Sequence, residues 1–154
     1  MRIKLIFFIC FLITLFSLCF ISKGFTKTLT LVDNGKSNYT IVISSNASLS
    51  EHHGALELQM FLKMISGCYI PIVQDVQNPS GPMILVGQSD ALRHIDNSIN
   101  FDELGDEGLV VKTVGNHLIL AGGRLRGTMY ACYAFLEEVL GCRWFTSECS
   151  YIPK

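Results

Sequence analysis

No two cysteines in this chain have Cys-x-x-Cys spacing, which leaves zinc ribbons and dithiol redox centres without ligands. Basic runs and aromatic–basic interleaving are also absent, so nucleic acid is not an expected partner. The glycine turn Gly122-Gly123-Arg124-Leu125-Arg126-Gly127 lacks the Lys-Ser/Thr of a phosphate loop, and its spacing is not Gly-x-Gly-x-x-Gly. His52 and His53 are neighbours on an expected helix and point about 100° apart, too far to share one ion. His94 and His117 have no carboxylate or cysteine at ligand spacing. No metal and no cofactor are therefore expected. Internal repeats, low-complexity tracts and linkers are missing too, which limits the chain to one domain.

Residues 1–24 have the make-up of a signal peptide. Arg2 and Lys4 precede an almost wholly apolar run from Leu5 to Ile21, and Ser22 and Gly24 place small residues at −3 and −1 of a cleavage site before Phe25. The expected location is secreted or periplasmic. Because the apolar run is longer than usual, an uncleaved signal anchor is the alternative, and it is the only expected route to a membrane. Removing Arg2, Lys4 and Lys23 leaves nine basic residues against thirteen acidic ones, a formal charge of −4. The remaining residues, 25–154, are enough to bury a core without staples.

Along that domain the patterns alternate between strand and helix. Thr28–Val32 alternates at period two, Asp33-Asn34-Gly35-Lys36 has hairpin-turn chemistry, and Tyr39–Ile43 reads as a second strand paired with the first. Ser48 and Glu51 form a capping box opening a helix that places Ala55, Leu58, Phe61, Leu62 and Ile65 on one face and stops at Gly67. Short strands follow at Tyr69–Val73 (an edge or strand start, because of Pro71) and Met83–Val86. A short helix is expected over Ser89–Ile95, then a polar loop, then a hairpin of Leu109–Val114 and His117–Ala121 about Gly115-Asn116. The last helix runs from about Leu125 to Leu140, with Ala131, Ala134, Phe135 and Val139 inward and Gly141 closing it in the left-handed conformation. The expected class is α+β: a mixed, largely antiparallel β-sheet with two main helices packed on one face.

Few residues offer chemistry. Asp102, Glu103, Asp106 and Glu107 are close enough to test as a glycosidase pair or a calcium loop, but they lie in a polar loop with no aromatic beside them. Asn38-Tyr39-Thr40 and Asn46-Ala47-Ser48 are glycosylation sequons. Cys142 and Cys149 are spaced to close a short disulfide loop, while Cys132 sits inside the apolar stripe as a buried small residue. Arg143, Trp144 and Phe145 follow the last helix, where they would close the core, meet a neighbouring domain or line a sugar.

The run Arg126-Gly-Thr-Met-Tyr-Ala, Phe135-Leu-Glu and Leu140-Gly-Cys-Arg-Trp144 resembles the N-terminal, non-barrel domain of alpha-glucuronidases of glycoside hydrolase family 67. It is equally similar to the second domain of beta-hexosaminidases and to related domains of secreted glycosidase-like proteins. The resemblance reaches back through Ile84-Leu85-Val86-Gly87 to the helix around Leu56–Ile65, and covers roughly residues 28–154. It implies the same α+β layout and a secreted accessory domain, with a catalytic (β/α)8 barrel expected C-terminal to Lys154 and the chain truncated before it. The catalytic carboxylates of those enzymes belong to the barrel, so no catalytic residue is expected here. A freestanding module binding oligosaccharide or polysaccharide is the alternative. If the leader is cleaved as expected, N-terminal sequencing of the exported protein will begin at Phe25; an intact Met1 in a membrane pellet would establish the anchor instead.

Overall fold

The computed structural model describes residues 28–154, so the leader and the cleavage site before Phe25 lie outside the described residues. Strand β1 (Thr40–Ile43) leads into helix α1 (Leu49–Ser66), then β2 (Ile72–Gln74) with a 3-10 turn at Asp75–Gln77, and β3 (Met83–Val86). Short helices α2 (Asp90–Ile95) and α3 (Phe101–Leu104) come next. They are followed by β4 (Leu109–Val114), β5 (His117–Gly122) and α4 (Gly127–Ala134), which continues as a π turn over Phe135–Val139. A ribbon of β6 (Arg143–Trp144) and β7 (Ser150–Tyr151) ends the described chain.

The five main strands form one sheet in the order β2-β1-β3-β5-β4. Its two faces carry separate apolar clusters. Ile41, Ile43, Ile84, Val86, Leu118 and Leu120 face α1 and α4, which supply Leu58, Phe61, Leu62, Ala131, Phe135 and Leu136. The opposite face is narrower: Val42, Leu85, Ile119 and Ala121 pack with Leu92 of α2 and with Ile99 and Phe101. The α+β class and the two main helices on one face agree with the sequence reading.

The expected antiparallel majority is corrected. Within this sheet β1 runs parallel to both β2 and β3, β3 runs parallel to β5, and β4 and β5 form the one antiparallel pair. The expected hairpin of Thr28–Val32 with Tyr39–Ile43 does not form, although its turn does. Asn34 (φ 48°) and Gly35 (φ 73°) take the left-handed pair of a tight turn, and Asp33 and Lys36 exchange both backbone hydrogen bonds at 2.9 Å. Both edges of β1 are already filled, by β2 and β3, so no edge remains for residues 28–32. Ser37 ends the ladder instead: its hydroxyl donates to Leu31 O at 2.7 Å and accepts from Tyr39 N at 3.0 Å.

Helix α1 starts and stops where its caps require. Ser48 Oγ accepts from Glu51 N, the Glu51 carboxylate accepts from Ser48 N at 2.7 Å, and Gly67 (φ 72°) returns its N–H to Lys63 O. Glu51 does more than cap. It is 1% exposed, and its second oxygen accepts from Gln88 N at 3.1 Å, which ties the start of α1 to the loop after β3. Gly87 (φ 78°) has no room for a side chain, because a Cβ there would fall inside the Glu51 carboxylate.

The last helix departs from its expected stripe. Leu140 N bonds to Phe135 O, an i to i+5 step, and the wider turn rotates Val139 outward to 61% exposure while Leu140 reaches the core. Gly141 (φ 82°) then closes the helix as expected. Replacing Glu51 by Ala should lower the unfolding free energy in urea by about 2–3 kcal/mol, since it strands the Ser48 and Gln88 donors. The exposed Glu138→Ala control should move it by less than about 0.5 kcal/mol. Equal effects for the two variants would show that the buried carboxylate is not a structural tie.

Candidate functional site

The C-terminal ribbon is assembled from the end of the last helix outward. After Gly141, buried Cys142 donates its N–H to Leu136 O at 2.9 Å. Arg143 and Trp144 then pair with Tyr151 and Ser150. The loop between is closed by Phe145 N to Cys149 O at 2.9 Å and by Thr146 Oγ1, which accepts from Cys149 N at 3.0 Å. Arg143 turns back rather than out: its guanidinium donates to Glu137 O and to Cys142 O, placing positive charge on the carbonyl end of the helix.

Trp144 lies half in the core. Its ring meets Phe61 edge-on at 5.3 Å and Tyr133 edge-on at 5.6 Å, contacts worth about 0.5–1.5 kcal/mol each beyond burial. The Tyr133 hydroxyl donates to Glu57 Oε2 at 3.0 Å, which fixes the ring against which the indole rests. Burial, and then the Glu57 carboxylate, push the Tyr133 phenol up to about 12. Trp144 retains 36% exposure, and Phe145 and Tyr151 are 67% and 57% exposed. The structure therefore joins Trp144 to Phe61 and Tyr133, neither of which sequence reasoning placed there, and leaves Phe145 outward. The signal for Phe61 was present in the helix periodicity; Tyr133 lies off the apolar stripe read for the last helix.

The other candidates separate. Cys142 and Cys149 are both free thiols, one buried behind the ribbon and one exposed in its loop; Cys68 and Cys132 are also free and buried. Burial pushes the Cys132 thiol up to about 12, as befits a small core residue. Asp102, Glu103, Asp106 and Glu107 are all exposed. Glu103 accepts from Asn100 and Glu107 pairs with Arg126. Among the described residues no cluster of three His, Cys, Asp or Glu side chains is placed to hold a metal. His117 Nδ1 accepts from Met83 N at 3.3 Å, and burial lowers its pKa, so it serves as a neutral acceptor between strands.

The glycine turn is occupied by backbone. Gly123 N donates to Gly108 O at 2.8 Å and Arg126 N to Asp106 O at 3.0 Å. A Cβ at Gly122, Gly123 or Gly127 would overlap main-chain atoms of the facing segments. No phosphate fits there.

One arrangement escaped the sequence reading. Asp75, at the end of β2, is 9% exposed and accepts from Ser45 N at 2.9 Å and Asp90 N at 3.1 Å. Burial works against its charge, but these N–H donors outweigh it and hold the carboxyl below its usual range. It faces a small polar concavity bounded by Ser44–Asn46, Gln88–Asp90, Arg93 and Arg124. Only the strand order brings these residues together.

A family model described as Glycosyl hydrolase family 67 N-terminus matches residues 26–135. The chain belongs to that family. The matched span takes in the whole five-stranded sheet, α1 and α4, and ends before the Arg143–Tyr151 ribbon. No curated protein matches the chain.

Because the folded phenol ionises at about 12 and an unfolded one near 10, Tyr133 contributes stability that is complete below pH 10 and is lost as pH rises toward 12. Trp144 is the only tryptophan, so its fluorescence reports this corner directly. Tyr133→Phe should flatten the fluorescence transition between pH 10 and 12 while leaving the signal at pH 7 native-like. An unchanged alkaline transition would remove Tyr133 as its cause.

Proposed function

We propose that this glycosyl hydrolase family 67 N-terminal domain is a non-catalytic accessory domain of a secreted or periplasmic, carbohydrate-active glycoside hydrolase. In this reading the ribbon docks against a catalytic (β/α)8 barrel, and the domain shapes or shields one side of the substrate cleft. The observation that carries it is the pairing of three exposed aromatics, Trp144, Phe145 and Tyr151, on a ribbon whose base is fixed by Phe61, Tyr133 and the Arg143 cap. Large apolar side chains held outward on a braced support fit a permanent contact surface.

The disposition of the carboxylates supports a role without hydrolysis. A glycosidase needs two carboxyl groups facing one bond, one of them poised to give a proton. Here the buried pair, Glu51 and Asp75, accept backbone N–H groups, and the cluster at residues 102–107 lies in an exposed loop.

A freestanding glycan-binding module is the second reading, favoured by the partial exposure of Trp144, since an indole beside aromatic neighbours is suited to a sugar ring. The two readings separate at the gene. A reading frame that continues past Lys154 into strand–helix alternation, with no turnover of 4-nitrophenyl glycosides by residues 25–154, is the expected result. A stop codon at that point would transfer the role to glycan binding. Hydrolysis by residues 25–154, lost when Asp102, Glu103, Asp106 and Glu107 are made amides, would overturn both.

A further inference from the structure

The parallel strands end at a change of direction. From β1 the chain goes through α1 to β2 on one side, whereas β3 lies on the other side of β1 and leads onward to β5. The helices leaving β1 and β3 also pack on opposite faces, α1 on one and α2 on the other. The loops after β1 and β3 therefore part at the carboxyl ends of the sheet, the position where open α/β sheets form ligand crevices. The concavity of about 230 Å³ lies there. At about 30 Å³ per water it has room for about eight waters, or for one sugar-sized ring with few waters left.

Its lining decides what suits it. Every lining side chain is polar or charged, with no aromatic or aliphatic wall, so an apolar ligand gains nothing by entering. Asp75 and Asp90 offset Arg93 and Arg124, so net charge selects neither an anion nor a cation. Arg93 is already bonded to Asp90 at 2.6 Å. Arg124 spends one N–H on Asn46 O at 3.1 Å, and the rest of its fork is open to solvent. Asp75 accepts from the Ser45 and Asp90 N–H groups, and the Val76 N–H and the Ser45 hydroxyl also bear on its carboxyl. Carboxylates, an open guanidinium, the Asn46 and Gln88 amides and serine hydroxyls in one concavity are complementary to a group that both donates and accepts.

We propose that this crevice binds a neutral, hydroxyl-rich ligand, a single sugar ring or linear polyol, whose hydroxyls accept from Arg124 and meet the polar side chains of the lining. It lies on loops separate from the Arg143–Tyr151 ribbon and does not depend on what that ribbon contacts. Amide NMR titration of the purified chain tests it, with methyl β-D-glucopyranoside and xylitol as probes and inorganic phosphate as the charged control. Both polyols should shift the amides of Ser45, Asn46, Gln88 and Asp90 with Kd of about 1–10 mM. Arg124→Ala, which removes one surface bond and no core contact, should weaken this by about tenfold. Four results would each overturn the proposal. These are no shift at those amides up to about 100 mM polyol, tighter binding by phosphate than by polyol, an affinity unchanged in Arg124→Ala, or shifts confined to the Trp144 indole and its neighbours. The last would place sugar on the ribbon and so serve the glycan-module reading alone.

Discussion

A carboxylate that is 1% exposed must be bonded or neutral, and at Glu51 the bonding partners come from two different parts of the fold. Ser48 offers its N–H and hydroxyl at 2.7 and 2.8 Å, and Gln88 offers an N–H at 3.1 Å. The positive end of α1 favours the charge at the same place. The two corners at which the chain leaves β1 and β3 are thereby pinned to one anion. Gly87 follows from this, because any side chain there would displace the carboxylate. So does the angle of α1, whose apolar face meets the sheet only if its first turn is held at that corner. The crevice between the loops is a by-product of the same tie: the strands converge on the anion while their helices diverge to opposite faces.

A second constraint, made of backbone alone, acts at the same carboxyl end of the sheet, after β5. Gly122, Gly123 and Gly127 let the turn after β5 lie against residues 105–108 without side chains between. Hydrogen bonds from Gly123, Arg126 and Gly127 then satisfy the carbonyls of Asp106 and Gly108. Gly54 plays the matching part where the helices meet, since a Cβ there would stand 3.2 Å from the Met129 backbone. The close approach of α1 and α4 is set by the missing side chain at Gly54, and that of the turn to residues 105–108 by those missing at Gly122, Gly123 and Gly127, so the glycine-rich turn before this helix marks packing.

Legibility in the sequence follows the range of the forces. The Ser48–Glu51 box, the left-handed Gly67 and Gly141, and the hairpin at Gly115-Asn116 are local, and all stand where their residues place them. Strand pairing is not local. Asn34-Gly35 makes its tight turn, yet the hairpin fails because β1 is claimed on both edges by strands that arrive later in the chain. The correction was encoded in burial: Met83–Val86 is buried at every residue and β1 at three of four, continuous runs that belong to parallel sheets covered on both faces. The i to i+5 turn at Phe135–Val139 has no comparable signature, and through it the outward position of Val139 was hidden. Asp75 was the least legible residue, since only the order of the strands carries it to Ser45 and Asp90.

The two surfaces left over by this architecture have opposite chemistry, and that opposition bears on how a single small domain is used. The ribbon presents Phe145 and Tyr151 outward from a rigid base, a form of exposure that costs solubility unless something covers it. The crevice is lined only by polar groups, which water solvates readily, so it needs no permanent partner. Under the proposed reading a lasting macromolecular contact falls at the ribbon and a weak, reversible ligand at the crevice. Neither depends on the other, because Glu51 fixes the crevice through α1 while Tyr133 and Phe61 fix the ribbon through the opposite ends of α4 and α1. On that proposal, one surface anchors the domain while the other samples small hydroxylated molecules.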